Sequence, residues 1–423
     1  MLKPTIEMVR ATELADEPIA IRVNGLQAGS RYKVAAAMPD DMERKWLSEA
    51  VFTADIHGAI DTSKQAPESG TYQGVDAGGV LWSMQLQMDT GELSYDNPNS
   101  IPYFMKMNIS PQTITISLYD DSHLLDQTTF TTKYVSDQVQ VEEINEGFVG
   151  KYFFPGQCSN LPAVIVVGGS GGGFFWSEQV AALLAARGIA AVAVAYFDFY
   201  GHYGLSRELT NIPLETFAEC IRWLQARKEI DENRIGAAGI SKGGELVLLL
   251  GATFPEELKA VVAFAPSLYV LQGIRIGSSE KSSSWSYQGK PLDFLPYPDD
   301  YETAMNFDKS KLRDIHNRAF ENTEAKQKSQ IPVERMKCHL LLISGDKDEL
   351  GTTSEMSAEA MQILQRESYP YETFHLRYPN GGHSFHIPNL PPVSLSPQVE
   401  LRDVAHAERD AWTKMMEFWQ QYL

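Results

Sequence analysis

The sequence predicts two folds in one chain: an antiparallel, all-β sandwich followed by a mostly parallel sheet with helices on both faces. Two observations carry this. Short runs of period two, separated by turn residues, fill the chain up to about Val141. Beyond Asn145 the pattern becomes buried strand, Gly-rich turn and amphipathic helix. The length agrees, since 423 residues is nearly three times the ~150 residues that serve as a prior for one domain.

In the first region Ile19 to Val23 ends at Asn24-Gly25, Tyr32 to Ala36 ends before Pro39-Asp40, and Thr113 to Leu118 ends at Asp120-Asp121. Val80 to Met84, Phe104 to Ile109 and Thr128 to Lys133 read as further strands. Strands at this short spacing, with little helical periodicity, predict an immunoglobulin-like sandwich. In the second region the strand Ala163 to Val167 runs into Gly168-Gly169-Ser170-Gly171-Gly172-Gly173, followed by a helix over Ser177 to Ala186 and the strand Ala190 to Ala195. Leu214, Phe217, Ala218, Ile221 and Leu224 have helical spacing. The strands Arg234 to Ile240, Ala260 to Ala265 and Leu340 to Ser344 follow, with a helix over Gly243 to Leu250 and a last one from about Leu401 to Trp419. The expected domains are 1–142 and 143–423, the second carrying a serine- and aromatic-rich insertion over about 270–330 that could serve as a lid.

Composition excludes several functions. A net charge of −19 repels phosphate backbones and anionic lipid surfaces, so nucleic acid is not an expected partner. The apolar runs Leu161 to Val167 and Gly188 to Tyr196 fall short of the ~20 residues of a spanning helix, so no membrane insertion is expected. Met1 to Pro18 lacks the apolar stretch of a secretory signal, and Cys158, Cys220 and Cys338 are few, odd in number and far apart. A cytoplasmic location is the expectation. No metal-ligand spacing such as H-E-x-x-H occurs, and the run 168–173 has neither the lysine of a phosphate loop nor a G-x-G-x-x-G register.

Gly239-Ile240-Ser241-Lys242-Gly243 is a G-x-S-x-G segment between a predicted strand and a predicted helix, the setting of a nucleophile elbow in an α/β-hydrolase fold. A serine hydroxyl needs a histidine base, itself oriented by a carboxylate. In this fold the chain order is serine, acid, histidine. Gly345-Asp346-Lys347-Asp348 follows a strand and offers Asp348 as the acid, with Asp346 in reserve. Pro379-Asn380-Gly381-Gly382-His383 offers His383 as the base, with His386 as competitor. The expected oxyanion donors are backbone N–H groups of Ser170 or Gly171 and of Lys242.

Segments along nearly the whole chain resemble one family. Ile21-Arg22-Val23-Asn24-Gly25-Leu26, Ser69 to Asp76, Gly79 to Met84, Gly239 to Leu246 and Ile331 to Arg335 are similar to segments of the acyl-CoA thioesterase and bile acid-CoA:amino acid N-acyltransferase family. The resemblance implies a Ser241, Asp348 and His383 triad, an acyl-CoA substrate and no cofactor. It also implies hydrolysis, because transferase-like members carry cysteine at the position of Ser241. An N-acyltransferase and a carboxylesterase or dienelactone-type hydrolase are the alternatives. Lys242, Arg275 and Lys281 are the expected contacts for the coenzyme A phosphates.

Overall fold

A strand buried on one face should alternate, and Arg31–Pro39 does: Tyr32, Val34, Ala36 and Met38 are buried and the residues between them are not. The computed structural model describes residues 3–87, 103–275, 278, 280–301, 303–304, 311–396 and 398–423. They divide into two units. The first comprises Met1–Ser136, His386–Ser394 and Glu400–Arg409; the second comprises Asp137–Phe385, Leu395–Val399 and Asp410–Leu423.

The first unit contains β1 (Thr5–Val9), β2 (Ala20–Asn24), β3 (Arg31–Pro39), β4 (Lys45–Thr53), β5 (Ile60–Asp61), β6 (Ser69–Gly70), α1 (Gly79–Trp82), β7 (Gln85–Leu86), β8 (Gln112–Asp120) and β9 (His123–Thr132). One sheet has the order β1-β2-β5. The other runs β6-β4-β3-β8-β9 with β7 on β4, and every pairing in both is antiparallel. This is the all-β unit that the alternation predicts.

Two expected strands in it are not strands. Over Val80 to Met84 the chain turns through the short helix α1, because the Asp76 carboxylate accepts the Gly78 N–H at 3.0 Å and the Trp82 indole N–H at 3.0 Å, drawing residues six apart together. Phe104 to Ile109 is irregular. There the Met105 N–H donates to the Asp40 carboxylate, the Met105 carbonyl accepts the Asp41 N–H, and the Met107 N–H donates to the Asp41 carboxylate, so an aspartate turn replaces a ladder.

The second unit contains β10 (Val139–Ile144), β11 (Val149–Pro155), β12 (Leu161–Val167), α2 (Phe175–Ala186), β13 (Ala190–Ala195), β14 (Ile212–Pro213), α3 (Glu215–Gln225), β15 (Ile230–Ile240), α4 (Lys242–Thr253), β16 (Ala260–Phe264), β17 (Trp285–Tyr287), β18 (Lys290–Pro291), α5 (Leu312–Ala319), α6 (Thr323–Ser329), β19 (His339–Gly345), α7 (Thr353–Arg366) and β20 (Thr373–Tyr378). The final helix α8 (Leu401–Tyr422) starts among residues grouped with the first unit and ends among those of the second. The eight-stranded sheet has the order β10-β11-β13-β12-β15-β16-β19-β20. Its first two pairings are antiparallel and the rest parallel. This is the α/β-hydrolase fold.

The expected boundary at 142/143 falls inside β10. That strand hydrogen-bonds along its length to β11 and is the first strand of this sheet. β13 and β16 are buried throughout, as strands covered on both faces should be. The helix α2 packs on β11, β12 and β13, α4 on β15 and β16, and α7 on β19 and β20. The insertion lies between β16 and β19, where β17 pairs with β14 and turns back into β18. Because β12, β13, β15, β16, β19 and β20 are parallel, the loops that follow them all leave the same edge of the sheet.

Candidate active site

Ser241 joins β15 to α4 with φ 57° and ψ −116°. A non-glycine residue is seldom found there, and the conformation costs about 1–3 kcal/mol. The two glycines of the motif make the turn possible. A Cβ on Gly239 would lie 2.1 Å from the Gly243 carbonyl oxygen, and one on Gly243 would lie 2.4 Å from the Gly168 carbonyl oxygen. Only hydrogen fits at either position. The turn is fastened by the Ser241 N–H, which donates to the Phe264 carbonyl at 2.8 Å, and by the Glu245 N–H, which donates to the Ser241 carbonyl at 3.0 Å.

Three side chains from the loops after β15, β19 and β20 meet. Ser241 Oγ is 3.0 Å from His383 Nε2, and His383 Nδ1 is 2.8 Å from Asp348 Oδ2. Asp348 is fully buried, and each of its oxygens has two partners. Oδ1 accepts the N–H groups of Leu350 at 2.9 Å and Gly351 at 3.0 Å, while Oδ2 accepts the Thr353 hydroxyl and faces His383. Burial alone would raise the Asp348 pKa, but the His383 imidazole and these donors outweigh it and hold the carboxyl below its ordinary range. Burial likewise lowers His383, and the adjacent Asp348 charge outweighs it, leaving the imidazole above its ordinary value.

Asp346 stands apart. Its carboxylate accepts from Ser354 and Arg377, each at 2.5 Å, and these bonds bring it below the usual range against a burial effect that would raise it. His386 belongs to the first unit, where its N–H donates to Glu408 at 2.8 Å.

Several supporting residues carried no signal in the sequence beyond their neighbourhood. Glu349 accepts the His383 N–H at 2.8 Å and the Leu395 N–H at 3.0 Å, tying the acid loop to the histidine loop. Lys347 N–H donates to the Gly381 carbonyl at 3.0 Å and draws the same two loops together. From the insertion, Arg313 on α5 donates to the carbonyls of Asp348 at 2.7 Å and Gly351 at 3.1 Å. His316, one turn on, is bonded to the Leu312 carbonyl at 2.9 Å and the Tyr297 hydroxyl at 3.1 Å, and burial pushes its pKa down to about 4. It is a neutral core histidine.

The glycine-rich loop after β12 closes on the serine at Gly169, where a Cβ would be 3.1 Å from Ser241 Cβ and 3.7 Å from Oγ. Ser170 and Gly171 continue that loop, and the Tyr196 hydroxyl anchors its start by donating to the Gly168 carbonyl at 2.7 Å. Lys242 begins α4, where the first backbone N–H groups of a helix lack intrahelical acceptors.

The Lys242 side chain corrects an expectation. Its ammonium is buried, 3.0 Å from both Glu245 oxygens, 2.7 Å from Ser284 Oγ and 3.1 Å from the Leu271 carbonyl. Glu245 also accepts the Trp285 indole N–H at 2.8 Å. Burial lowers the Lys242 pKa and raises that of Glu245. So committed an ammonium cannot reach a phosphate. Arg275 pairs with Glu208 and Glu280, and Lys281 with Asp299, so the other two expected phosphate contacts also face carboxylates. Among the described residues no group of His, Cys, Asp and Glu is arranged to hold a metal ion, and no helix is long and apolar enough to cross a membrane.

The sheet order and the serine, histidine and aspartate at its edge define a member of the α/β-hydrolase class. Two family profiles match this chain: the acyl-CoA thioester hydrolase/BAAT N-terminal region over residues 16–146 and the BAAT / acyl-CoA thioester hydrolase C terminal over residues 212–423. The chain belongs to this family of acyl-CoA thioester hydrolases and bile acid-CoA:amino acid N-acyltransferases. It is 25% identical over 419 residues to acyl-coenzyme A thioesterase 1 of Rattus norvegicus, covering 96% of this chain and 94% of the relative. It is 26% identical over 431 residues to acyl-coenzyme A amino acid N-acyltransferase 2 of Mus musculus, covering 97% and 96%. An esterase of Pyrobaculum calidifontis aligns with 67% of this chain and 86% of its own, at 16% identity and a TM-score of 0.39.

Proposed function

We propose that this protein hydrolyses acyl-CoA thioesters to free acid and coenzyme A. One observation carries the reading. A serine held in a strained elbow is hydrogen-bonded to a histidine, which is hydrogen-bonded on its other nitrogen to a buried, fully partnered aspartate.

In this reading His383 takes the Ser241 proton as Oγ bonds to the thioester carbonyl carbon. Backbone N–H groups of the Ser170 and Gly171 loop and of Lys242 stabilise the oxyanion, and removal of one such donor costs ~3 kcal/mol of transition-state stabilisation. The C–S bond breaks and the coenzyme A sulfur leaves as the thiol, taking from the imidazolium the proton that came from Ser241, so that His383 is again neutral. Water, deprotonated by His383, then attacks the acyl-serine ester, releasing acid and restoring the hydroxyl. Asp348 keeps the imidazole in the tautomer and orientation that both steps need. No metal or organic cofactor enters these steps.

Transfer of the acyl group to an amino acid is the second reading, favoured by the comparable similarity to the mouse N-acyltransferase. Thiol release measured across acyl-CoA esters of different chain length, with mass analysis of products in the presence and absence of glycine or taurine, separates the two. Free acid in both conditions supports hydrolysis. Amide product accounting for most of the released coenzyme A replaces it with transfer.

A further inference from the structure

The loop after β13 is built around one buried carboxylate. Asp198, 1% exposed, accepts the N–H groups of Tyr200 at 3.0 Å, His202, and Tyr203 at 3.2 Å, so a single side chain fixes the loop's backbone. The loop presents aromatic surface to solvent. Tyr200 is 63% exposed, and its ring lies nearly parallel to that of His202, with centroids 5.7 Å apart and planes 14° apart. Held on a fixed backbone, these exposed rings offer a ligand a preorganised surface to pack against.

This loop abuts the one that touches Ser241. The Gly173 N–H donates to the Phe197 carbonyl at 2.9 Å, and a Cβ on Gly172 would lie 3.1 Å from the Phe197 ring. The parent strands β12 and β13 are parallel neighbours, paired at Val167 and Val194, and ligands in such sheets gather at the carboxyl ends of the strands.

Arg207 closes the loop. Its exposed guanidinium donates to the Tyr200 carbonyl at 3.4 Å and lies over Gly201, where a Cβ would be 2.8 Å from Nη2. Among the described residues Arg207 has no carboxylate partner, whereas Lys242, Arg275 and Lys281 all have one. A ring surface beside a guanidinium that has no carboxylate partner among the described residues matches a ligand that carries both a base and phosphate.

We propose that Tyr200, His202 and Arg207 form the subsite for the nucleotide end of the leaving group, with the base against the exposed rings and a phosphate on Arg207. The proposal rests on the thioesterase reading and names where that substrate's non-reacting end is held.

Two measurements on the full-length protein keep the two ideas separable. The first is the affinity for free coenzyme A by titration calorimetry. The second is the ratio of KM for hexanoyl-CoA to KM for hexanoyl-N-acetylcysteamine, a thioester without a nucleotide. Arg207→Gln should weaken coenzyme A binding by about tenfold, and Tyr200→Ala by about fivefold. Both should raise the KM ratio. Arg222→Gln, a charge-matched change on the exposed side of α3, should alter neither. Coenzyme A affinity and KM ratio equal to wild type in both loop variants would overturn the subsite while leaving hydrolysis standing. A rise in KM for both thioesters alike would overturn it too, by assigning the loop to the acyl chain. Weakened coenzyme A binding without thiol release by the wild type would keep the subsite and remove the hydrolase reading.

Discussion

Asp40 in the antiparallel unit and Asp348 in the parallel one are both buried carboxylates crowded with donors, yet of the two only Asp348 meets a histidine. Asp40 accepts the N–H groups of Met42 and Arg44, each at 3.0 Å, the Arg44 guanidinium and the Trp46 indole N–H at 3.2 Å. None of these donors is an imidazole. Asp348 accepts a similar set but adds an imidazole whose far nitrogen reaches a serine. Burial and hydrogen bonding therefore make a structural carboxylate. A titratable partner with a second contact turns one toward chemistry, and a parallel sheet supplies that contact by bringing successive loops to one edge.

The largest expected effect is at the serine. Ser241→Ala should lower thiol release by ~10⁴-fold or more while melting at nearly the wild-type temperature, since the elbow accepts a methyl group but the reaction loses its nucleophile. Retention of more than a few per cent of the activity would move the chemistry elsewhere.

The two aspartates should then diverge under the same substitution. Asp348→Asn should lower kcat by ~10³–10⁴-fold with little change in KM, through loss of the correct histidine tautomer. Asp40→Asn should leave turnover per folded molecule unchanged and lower stability by about 3 kcal/mol, because it strips a buried pair in which Arg44 sits 2.6 Å from the carboxylate. Denaturant melts and initial rates on both variants check this; an Asp40 variant that loses activity without losing stability would break the comparison.

pH offers a finer test. His383 must be neutral to take the serine proton, and the Asp348 charge holds its pKa above the ordinary 6.5. Activity should be present above that raised value and fall as pH drops through it, so the acid limb should lie above pH 6.5. In Asp348→Asn the charge that raises the imidazole is gone, and the limb of the residual activity should move to lower pH. A limb at the same pH in both proteins would detach Asp348 from His383. The smallest effect is expected for Asp346→Asn, a change of a few-fold at most, since Arg377 and Ser354 occupy its carboxylate.

The contrast also bounds what the sequence could tell. Buried parallel strands were legible because an unbroken apolar run such as Ala190 to Ala195 admits few other readings. Ser241 and Asp348 could be singled out because each follows such a strand beside glycine, and His383 because it follows a glycine turn after the half-exposed strand β20; the fold brings those loops together. Val80 to Met84 and Phe104 to Ile109 misread as strands because side-chain carboxylates of Asp76, Asp40 and Asp41 claim backbone N–H groups that a ladder would have used. Lys242 misread as a phosphate contact because charge is visible in a sequence and burial is not. Arg207 went unnoticed for the converse reason: only the structure shows which cations lack a carboxylate.

The central claim is that Ser241, activated through His383, is the group that acyl-CoA acylates. Titrating the protein with a serine-directed fluorophosphonate while following both peptide mass and thiol release tests it directly. One label per chain, located on Ser241, should appear in proportion to the loss of thiol release from acyl-CoA. Full labelling of Ser241 with thiol release intact, or loss of activity tracking a label on another residue, would contradict it.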